Sequence, residues 1–543
     1  MFRERLYGLR IIAALSVVGL LVLTGFTGGS AAPAPAAPGT PVRGGTLTLS
    51  YPPGIPHVDT NSVSQTLIVE VIGNFYERLY ERDSTGKVQP HLVESEQVSP
   101  DGLTVTWKLR SGIKFHDGSP FNAEAVKWNF ERKIGRRQIQ FGLLPFKSMD
   151  VVDPMTLRVS LTRTAPNLHA ILTMGNMAMY SPAFTQQVGE DGIKLQASGT
   201  GPYTVAEFRP QQILRVKRNP NYWKQGLPYL DEIVYRVADD INTRATMLAA
   251  GDVDIAREVS FPDAQQFKSR QGFKVLERVG SRQYVIYINT RRPLVSDVRV
   301  RQALNYAVDK EAIIRTVLLG NGKTANVWLF GPNVSGYTPT EGYPYNPDRA
   351  KALLEEAGWR AGAGGMRARD GQPLRLTYVT RKGGSPGDFE IAEQVQGMLR
   401  AVGVDVNLVV ADSATLLARL NAPGGVQVEY DLLNLGNNTF TGDAEYIMLG
   451  FYRNADFPPN GFNYSHYSNP QVERLIEDSL RARNLSGRNS IYYSQIIKQV
   501  VRDAPGILLF DIQMQVPMKQ NVQGVYLDPA YNMWPVKYAW KSR

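Results

Sequence analysis

Cysteine is absent from the chain of 543 residues, and histidine occurs only five times. Without cysteine there are no disulfide bonds, no thiolate metal ligands, no cysteine nucleophile and no residue to which a lipid can be attached. None of the histidines has a partner at the spacing of a metal site. We therefore predict neither a metal site nor a cofactor.

A clustered basic patch is also absent, although the net charge is +10. Lysine and arginine are interspersed with acidic residues, and no nucleic-acid-binding motif is present. We therefore predict a mildly basic, solvated surface and no nucleic-acid partner. The hydrophobic fraction of 43% and the charged fraction of 20% are ordinary for a globular protein, and the length suggests two or three domains.

No segment after the N-terminal region is long and apolar enough to span a membrane, and the N-terminal apolar stretch, Ile11–Leu23, has only 13 residues. Arginines precede this stretch and small residues follow it, which is typical of a signal peptide. We predict a signal peptide at residues 1–31, cleaved after Ala31 or Ala36, and an Ala/Pro-rich linker at residues 32–42. A retained membrane anchor is the alternative.

The end of this stretch, Leu23-Thr24-Gly25, resembles the first three positions of a lipoprotein signal. The fourth position of that signal must be a cysteine, because its thiolate takes the lipid, and here it is Phe26. We therefore predict export without lipidation to an extracytoplasmic location, periplasmic or secreted.

The rest of the chain mixes strand and helix patterns. Leu103–Arg110 alternates apolar and polar residues, which predicts a half-buried strand. Asn122 is a good N-cap for a helix, with Val126 and Phe130 as its buried pair. A long helix is predicted at Val298–Leu318. Because strands and helices alternate throughout, the predicted fold class is α/β.

One motif suggests catalysis. Gly383–Gly387 matches the G-x-S-x-G nucleophile elbow of α/β-hydrolases, with Ser385 as the nucleophile. The oxyanion hole of such a site needs the backbone N–H of the next residue, which is Pro386 and has none. Only His466 lies downstream to act as a base. We therefore predict no catalytic residues and no enzyme, and keep a secreted serine hydrolase as a remote alternative.

Several short phrases carry a resemblance to a known family. They are Asn74–Leu79, Pro90–Ser95, Ser99–Thr104, Lys114–Gly118, Gly199–Tyr203, Arg218–Trp223, Leu248–Ile255, Asp297–Lys310 and Tyr464–Pro470. Their number, order and spacing resemble the bacterial extracellular solute-binding proteins of the peptide/nickel family, family 5, from about Gly44 to the C-terminus. Val93 and Glu96 depart from the family pattern, in which alanine and tryptophan are common at these positions.

The resemblance implies a fold and its boundaries. The family fold is a two-lobed periplasmic-binding-protein clamp of the class II type, with an inserted subdomain in the first lobe. The implied boundaries are lobe I at residues 43–288, its subdomain at about 58–190, lobe II at 289–509 and a return to lobe I at 510–543. The implied hinge crossings fall near Ile288–Arg292 and Leu509–Met514.

The resemblance also implies a function. A family member binds a small solute between its lobes, the bound solute shifts the hinge toward the closed form, and the closed form docks on an ABC permease in the cytoplasmic membrane. We therefore expect a monomeric binding protein for a peptide-like solute. An opine, a metal chelate or an oligosaccharide is the alternative solute, because the family binds these as well.

Two loops of the second lobe are implied to contact the solute. In the loop at Thr380–Gly387, the position where dipeptide binders hold the peptide carboxylate with an arginine falls on Lys382, with Arg381 beside it. Burying a charge without a partner is costly, so these cations indicate a carboxylate.

The second loop is Asn434–Tyr446. If Asp443 is the aspartate that begins the local helix, Phe440 stands where peptide binders carry the aspartate for the α-amino group. Asn437 and Asn438 lie nearby and can only form hydrogen bonds. We therefore expect an anionic or neutral solute rather than one held here by a free α-amine.

Overall fold

The computed structural model describes residues 39–52, 55–60, 70–134, 142–362, 364–382, 385–422, 426–528 and 536–542. The predicted signal peptide, most of the predicted linker and the first two residues of the Gly383–Gly387 motif lie outside the described residues. Within the described part, no helix is long and apolar enough to cross a membrane.

The strands are numbered in chain order. They are β1 (Thr46–Tyr51), β2 (Tyr80–Arg82), β3 (Val88–Pro90), β4 (Val93–Val98), β5 (Thr104–Leu109), β6 (Phe146–Asp153), β7 (Thr156–Leu161), β8 (Tyr203–Arg209), β9 (Ile213–Arg218), β10 (Glu232–Val237), β11 (Ile255–Ala256), β12 (Phe273–Ile288), β13 (Gly322–Thr324), β14 (Arg360–Ala361), β15 (Arg367–Arg369), β16 (Gln372–Pro373), β17 (Arg375–Arg381), β18 (Asp405–Ala411), β19 (Leu432–Asn437), β20 (Gly506–Lys519), β21 (Val522–Gln523) and β22 (Trp540–Lys541).

The helices connect these strands or cover them. The α-helices are Ala123–Ile134, Leu168–Leu172, Pro182–Leu195, Ile241–Ala250, Phe261–Ser269, Val298–Ala307, Lys310–Thr316, Pro347–Glu356, Asp388–Ala401, Ser413–Leu420, Glu445–Phe451, Pro470–Ser479, Leu485–Gly487 and Ser494–Asp503. Short 3₁₀ turns occur at Gly175–Met177, Pro293–Val295 and Asn454–Asp456, and a π-helical segment at Arg488–Tyr493. The predicted α/β class is confirmed.

One large sheet organises the molecule, with the strand order β18-β17-β19-β12-β20-β11-β1-β10-β9-β8 and β13 paired with β20. Two strands, β12 and β20, are long enough to run through both halves of this sheet. We call the side of β11, β1, β10, β9 and β8 the first sheet half, and the side of β19, β17 and β18 the second sheet half. The long antiparallel pair β12–β20 is therefore the continuous connection between the halves.

The ladder between β12 and β20 is irregular in its middle. Phe273–Val279 pairs with the C-terminal part of β20, the register shifts between Val279 and Gln283, and Gln283 then pairs with Asp511. The residues after the shift also pair with β19. The two segments nevertheless form a single strand of 16 residues, from Phe273 to Ile288.

A separate four-stranded sheet, β4-β5-β7-β6, packs against the helix Ala123–Ile134. The predicted N-cap is confirmed, because the Asn122 Oδ1 atom accepts a hydrogen bond from the Ala125 backbone N–H at 2.9 Å. Val126 and Phe130 are fully buried, as the i, i+4 pattern predicted. Trp107, from the alternating strand β5, packs against Phe130 with ring centroids 6.1 Å apart.

The predicted long helix Val298–Leu318 is wrong, since two helices occupy it, Val298–Ala307 and Lys310–Thr316. Between them Val308 has an extended backbone, and the Asp309 side chain accepts from the Ala312 N–H at 2.9 Å. An aspartate that can cap a helix favours a new start over continuation, which explains the break.

Candidate functional site

In each sheet half, the strand next to the β12–β20 pair, β11 or β19, has its carboxyl end toward the middle of β12. In the first half, Ile255 of β11 pairs with Met518, which pairs with Lys274 near the start of β12. In the second half, Asn437 at the end of β19 pairs with Gln283. Because β11 is parallel to β12 and β19 is antiparallel to it, the loops that follow the two strands approach each other where the register shifts. Loops at the carboxyl ends of strands are where α/β proteins build binding sites.

A pocket that is partly open to solvent lies at this meeting point. Its lining comes from four segments: the loop after β11, the middle of β12, the loop after β17 and the middle of β20. The lining residues are Arg257, Glu258, Val259, Phe261, Arg282, Tyr284, Ser385, Pro386, Ile512, Gln513, Met514 and Gln515. Both sheet halves therefore contribute to one partly apolar pocket that contains a few charged groups, as ligand sites do.

The loop after β11 is held rigidly by Arg244. Its guanidinium group donates hydrogen bonds to the backbone carbonyls of Arg257 at 2.9 Å and Glu258 at 2.8 Å. The Arg257 side chain in turn forms a two-point contact with Glu70, at 2.7 and 3.2 Å. With both interactions in place, the loop presents the next side chain, Glu258, from a fixed backbone.

The backbone of Glu258 is left-handed, with φ of +51°. This conformation costs a residue other than glycine roughly 1–3 kcal/mol and persists only where surrounding contacts impose it. Burial alone would raise the pKa of the Glu258 carboxyl, but the positive charges of Arg257 and Arg282 outweigh burial and lower the pKa. Glu258 is therefore an ionised carboxylate held in a strained position at the pocket wall.

Arg282 connects the two sheet halves inside the pocket. It lies in the irregular part of β12, and its guanidinium group is 3.3 Å from the Glu258 Oε1 atom of the first half. It also donates a hydrogen bond to the Ser385 Oγ atom of the second half. The absence of a side chain at Gly436 makes room for it, since a Cβ atom there would be 3.3 Å from the Arg282 Nε atom.

The nucleophile elbow gains no support from these contacts. The Ser385 hydroxyl accepts a hydrogen bond from Arg282, a permanently charged group that cannot take up a proton. His466, the one histidine downstream of the motif, has its ring next to Phe457, with centroids 5.3 Å apart. Ser385 is therefore a polar group of the pocket whose described contact is with a permanent cation.

The six residues predicted to contact the solute do not line this pocket. In the loop after β17, Arg381 is buried and its guanidinium group is 3.0 Å from the Asp388 carboxylate. Lys382 is exposed, with its ammonium group 5.6 Å from the centre of the Phe389 ring. Arg381 thus already has a charged partner, and Lys382 is the accessible cation of the two.

The other four lie in and after β19. The Asn437 side chain donates to the Leu329 carbonyl at 3.0 Å, and Asn438 follows it, half-buried. The half-buried Phe440 packs edge-on against Tyr446, with centroids 5.5 Å apart. The Asp443 carboxylate is buried and 2.5 Å from the Arg488 guanidinium group. Contact of these residues with a solute stays a prediction.

The pocket residues missed by the sequence analysis are Glu258, Arg282 and the supporting Arg257. Arg257 and Glu258 are the second and third residues after the family phrase that ends at Ile255, and Arg282 lies two residues before the apolar segment that begins at Tyr284. The available sequence signal was a charged residue close to a buried apolar segment. Their partners are far away in sequence, so the signal alone did not indicate a site.

The loop after β19 and the segment around Ala482 contact the N-terminal part of the chain, next to β7 and at β2. Arg163, just after β7, is 3.1 Å from the Glu445 carboxylate, and the Thr164 hydroxyl donates to the Ala482 carbonyl at 3.0 Å. Arg82 of β2 donates to the Thr441 carbonyl. These contacts hold the loop after β19 against the N-terminal part of the chain.

Metal-ligand clusters of three or more His, Asp or Glu side chains do not occur in the described part of the chain. The charged groups of the pocket are therefore those of side-chain ion pairs, with a carboxylate on one wall and a guanidinium group on the floor. Phe261 and Met514 add apolar contacts. Such a pocket can hold a small charged solute without changing it.

Comparison with known proteins gives consistent results. A family model described as bacterial extracellular solute-binding proteins, family 5 Middle, matches residues 87–459. The glutathione-binding protein GsiB of Pectobacterium atrosepticum is 31% identical over 480 residues, which cover 87% of this chain and 89% of that protein. The GsiB protein of Salmonella typhimurium is 28% identical, with 87% and 90% covered.

Solved structures agree on the fold. The oligopeptide-binding protein AppA of Bacillus subtilis, in complex with a nonapeptide, superposes with a TM-score of 0.81 at 23% identity, covering 93% of this chain and 100% of that one. NikA of Brucella suis, in complex with Fe(III)-EDTA, gives a TM-score of 0.79 at 26% identity, covering 92% and 100%. The predicted two-lobed α/β fold is therefore confirmed.

Proposed function

The chain belongs to the bacterial extracellular solute-binding proteins of family 5, and from this membership we propose that it captures a peptide-like solute outside the cytoplasm and delivers it to an ABC permease. The observation that carries the proposal is the pocket between the two sheet halves, where Arg282 on the crossing strand reaches Glu258 on one side and Ser385 on the other. A solute bound there contacts both halves at once.

The physical link between binding and transport is closure. A ligand that contacts both lobes binds the closed form more tightly, and it shifts the equilibrium by the difference between its affinities for the two forms. The contacts from Arg163 to Glu445 and from Arg82 to Thr441 belong to such a closed form, because they join the loop after β19 to the N-terminal part of the chain.

We place the first crossing between the lobes within Val279–Gln283, where the ladder of β12 is irregular, and the second at Ile512–Gln513 on the neighbouring strand. The first is earlier than the crossing implied at Ile288–Arg292, because Gln283–Ile288 pairs with β19 of the second sheet half. An irregular ladder has fewer regular backbone hydrogen bonds and bends more easily, which suits a hinge.

The solute class is inferred from the relatives and from the pocket. The most similar curated relatives reported above bind glutathione, a tripeptide with two carboxylates and one amine. A pocket with one partly buried carboxylate and one guanidinium group is suited to the charged groups of such a solute. We therefore propose a short, charged peptide or peptide derivative as the solute.

The direct test is ligand-dependent thermal stability of the purified protein. We expect a monomer whose stability rises with glutathione or another short peptide, by about 2.7 kcal/mol when free ligand is 100 times the dissociation constant. The solute should be recovered unchanged, with or without Ser385→Ala. Hydrolysis of esters or peptides that disappears in Ser385→Ala would identify a hydrolase instead, and the absence of binding to any short peptide would contradict the proposed solute class.

We also propose export of the chain by its N-terminal segment. The intact mass of the protein from its native host is expected to match a chain that starts at Ala32 or Ala37 and carries no acyl group, because no cysteine is available. A full-length product that fractionates with the membrane would show that Ile11–Leu23 is kept as an anchor.

A further inference from the structure

The four charged side chains at and behind the pocket form two close ion pairs, with a longer contact of 3.6 Å between Arg257 and Glu258. Arg257 is neutralised by Glu70 through the two-point contact of 2.7 and 3.2 Å, and Arg282 faces Glu258 at 3.3 Å. The first pair is buried, with side chains 3% exposed on both partners, whereas Glu258 and Arg282 are 14% and 22% exposed. Only the second pair is therefore placed to exchange its partners with a solute.

A solute that replaces the contact between Glu258 and Arg282 must carry charges that satisfy both side chains. A solute carboxylate that takes Arg282 alone leaves the Glu258 carboxylate, in a partly desolvated site, with only the longer contact to Arg257, which Glu70 already engages. A solute ammonium that takes Glu258 alone leaves Arg282 without an ionic partner. An unpaired charge away from water is strongly disfavoured. A solute that brings one positive and one negative charge replaces one ion pair by two and leaves no charge unpaired.

The distance between the two side chains sets the spacing of the solute charges. Glu258 and Arg282 are in direct contact, so the two charges of the solute must also lie close together. An ammonium and a carboxylate on one carbon satisfy this requirement, while the two ends of even a dipeptide are separated by a further peptide unit, ~3.8 Å between Cα atoms.

We propose that this pocket binds an amino-acid head group of the solute, meaning an ammonium and a carboxylate carried by the same carbon, with the carboxylate on Arg282 and the ammonium on Glu258. The proposal rests on the proposed function and specifies the part of the solute that is recognised. Ser385 supplies a further hydroxyl beside Arg282. The acid that receives the amine is thus Glu258 of the first sheet half, and the loop around Phe440 is not needed for that role.

The left-handed backbone of Glu258 supports this assignment. The strained conformation, with φ of +51°, is imposed by Arg244 through the Arg257 and Glu258 carbonyls, and it turns the carboxylate toward Arg282. Strain that persists at a pocket wall is typical of a functional position.

The test is calorimetric titration with four probes that share one scaffold. They are glutathione, its N-acetyl form, its form with the γ-glutamyl α-carboxylate amidated, and its form with the glycine carboxylate amidated. The first modification removes the head-group ammonium and the second the head-group carboxylate, and each is expected to weaken binding by at least about 30-fold. Amidation of the glycine end should change affinity by less than about threefold.

Variants assign each charge to its residue. Glu258→Gln should weaken glutathione binding and abolish the difference between the free and acetylated amine. Arg282→Gln should abolish the difference between the free and amidated α-carboxylate. These losses of discrimination are independent of any general loss of stability. Arg481→Gln, with a side chain 75% exposed, is the control and should keep both differences.

The outcomes separate the two proposals. If peptides bind but the wild-type protein does not distinguish blocked from free head groups, the head-group assignment is wrong and the proposed function stands. If discrimination persists in both pocket variants, the recognising residues are elsewhere and the assignment is wrong. If none of the four probes nor any other short peptide binds, both proposals are wrong.

Discussion

Replacement of Arg488 by methionine is expected to lower the free energy of unfolding by about 3–5 kcal/mol, because it leaves two buried carboxylates without their shared partner. The Arg488 guanidinium group is 2.5 Å from the Asp443 carboxylate and 2.8 Å from the Glu445 carboxylate. All three side chains are 3% exposed or less. Methionine fills a similar volume, so the loss of charge is the main change.

Arg163, the other arginine next to Glu445, cannot compensate for the loss of Arg488. Arg163 is 3.1 Å from Glu445, but its contact is with the opposite oxygen of that carboxylate, and the structure gives it no contact with Asp443. Burial, the largest influence, already raises the pKa of Glu445 above its usual value even with both arginines present. Removal of Arg488 raises it further, so the ionised form becomes costly at neutral pH.

Because the instability of Arg488→Met comes from buried ionised carboxylates, it should depend on pH. Carboxyl groups whose folded pKa is raised bind protons more readily in the folded than in the unfolded state, so their contribution to stability grows as pH falls. The deficit of Arg488→Met should therefore be largest at pH 7–8 and shrink toward pH 5. Denaturant titrations at several pH values measure it. Arg481→Met, at an exposed position, should change stability by less than about 0.5 kcal/mol.

A deficit for Arg488→Met that is no larger than that of Arg481→Met would show that the ion cluster is not a structural support. The position matters for function because Asp443 and Glu445 end the loop that carries the predicted solute contacts Asn437, Asn438 and Phe440. Arg488 holds this loop from a π-helical segment, a local widening of the helix that is frequent at functional sites. The variant should therefore also bind solute more weakly.

Local features were predictable from the sequence, because their causes are local. The cap of Asn122 and the alternating face of Val105, Trp107 and Leu109 depend on residues a few positions apart, and both are found in the structure. The prediction of one helix at Val298–Leu318 was wrong for a reason that is also local. Asp309 is both a tolerable helix residue and a good N-cap, and the sequence pattern does not decide between the two.

The site was less predictable because its partners come from distant parts of the chain. Arg282 meets residues 258, 385 and 436, and no periodic pattern connects these positions. Arg381 shows the converse problem. It was predicted to await a solute carboxylate, but Asp388, seven residues later at the start of a helix, already occupies its guanidinium group. Family resemblance indicated which loops to consider, whereas the availability of each charge depends on packing.

Replacement of Asp511 by asparagine is expected to stabilise the protein by about 3 kcal/mol at pH 7–8, the second large effect and opposite in sign to the first. Asp511 lies on β20 opposite Gln283, at the point where the strands cross between the sheet halves. Its side chain is buried, and the Gln283 side chain donates to one carboxylate oxygen at 3.0 Å. Burial raises the pKa of Asp511 from 3.8 to about 6.

The sign follows from proton binding. Between pH 4 and pH 6 the folded protein binds a proton at Asp511 that the unfolded chain releases, so this group stabilises the fold at low pH and the benefit is lost as pH rises through about 6. Asparagine resembles the protonated acid and does not titrate. The variant and the wild type should therefore have similar stability near pH 4 and diverge above it, as denaturant titrations from pH 4 to pH 8 will measure.

Asp191→Asn is the matched control, because it makes the same replacement at a side chain that is 95% exposed. A difference between Asp511→Asn and the wild type that stays constant from pH 4 to pH 8 would show that Asp511 is not held at a raised pKa.

The surroundings of Asp511 explain how the cost of burying its ionised carboxylate can persist. A Cβ atom at Gly331 would lie 2.6 Å from the Asp511 carboxylate, so the backbone of the segment after Phe330 packs directly on it. An ionised carboxylate under this packing favours any movement that readmits water, and at the crossing between the sheet halves that movement is opening of the hinge.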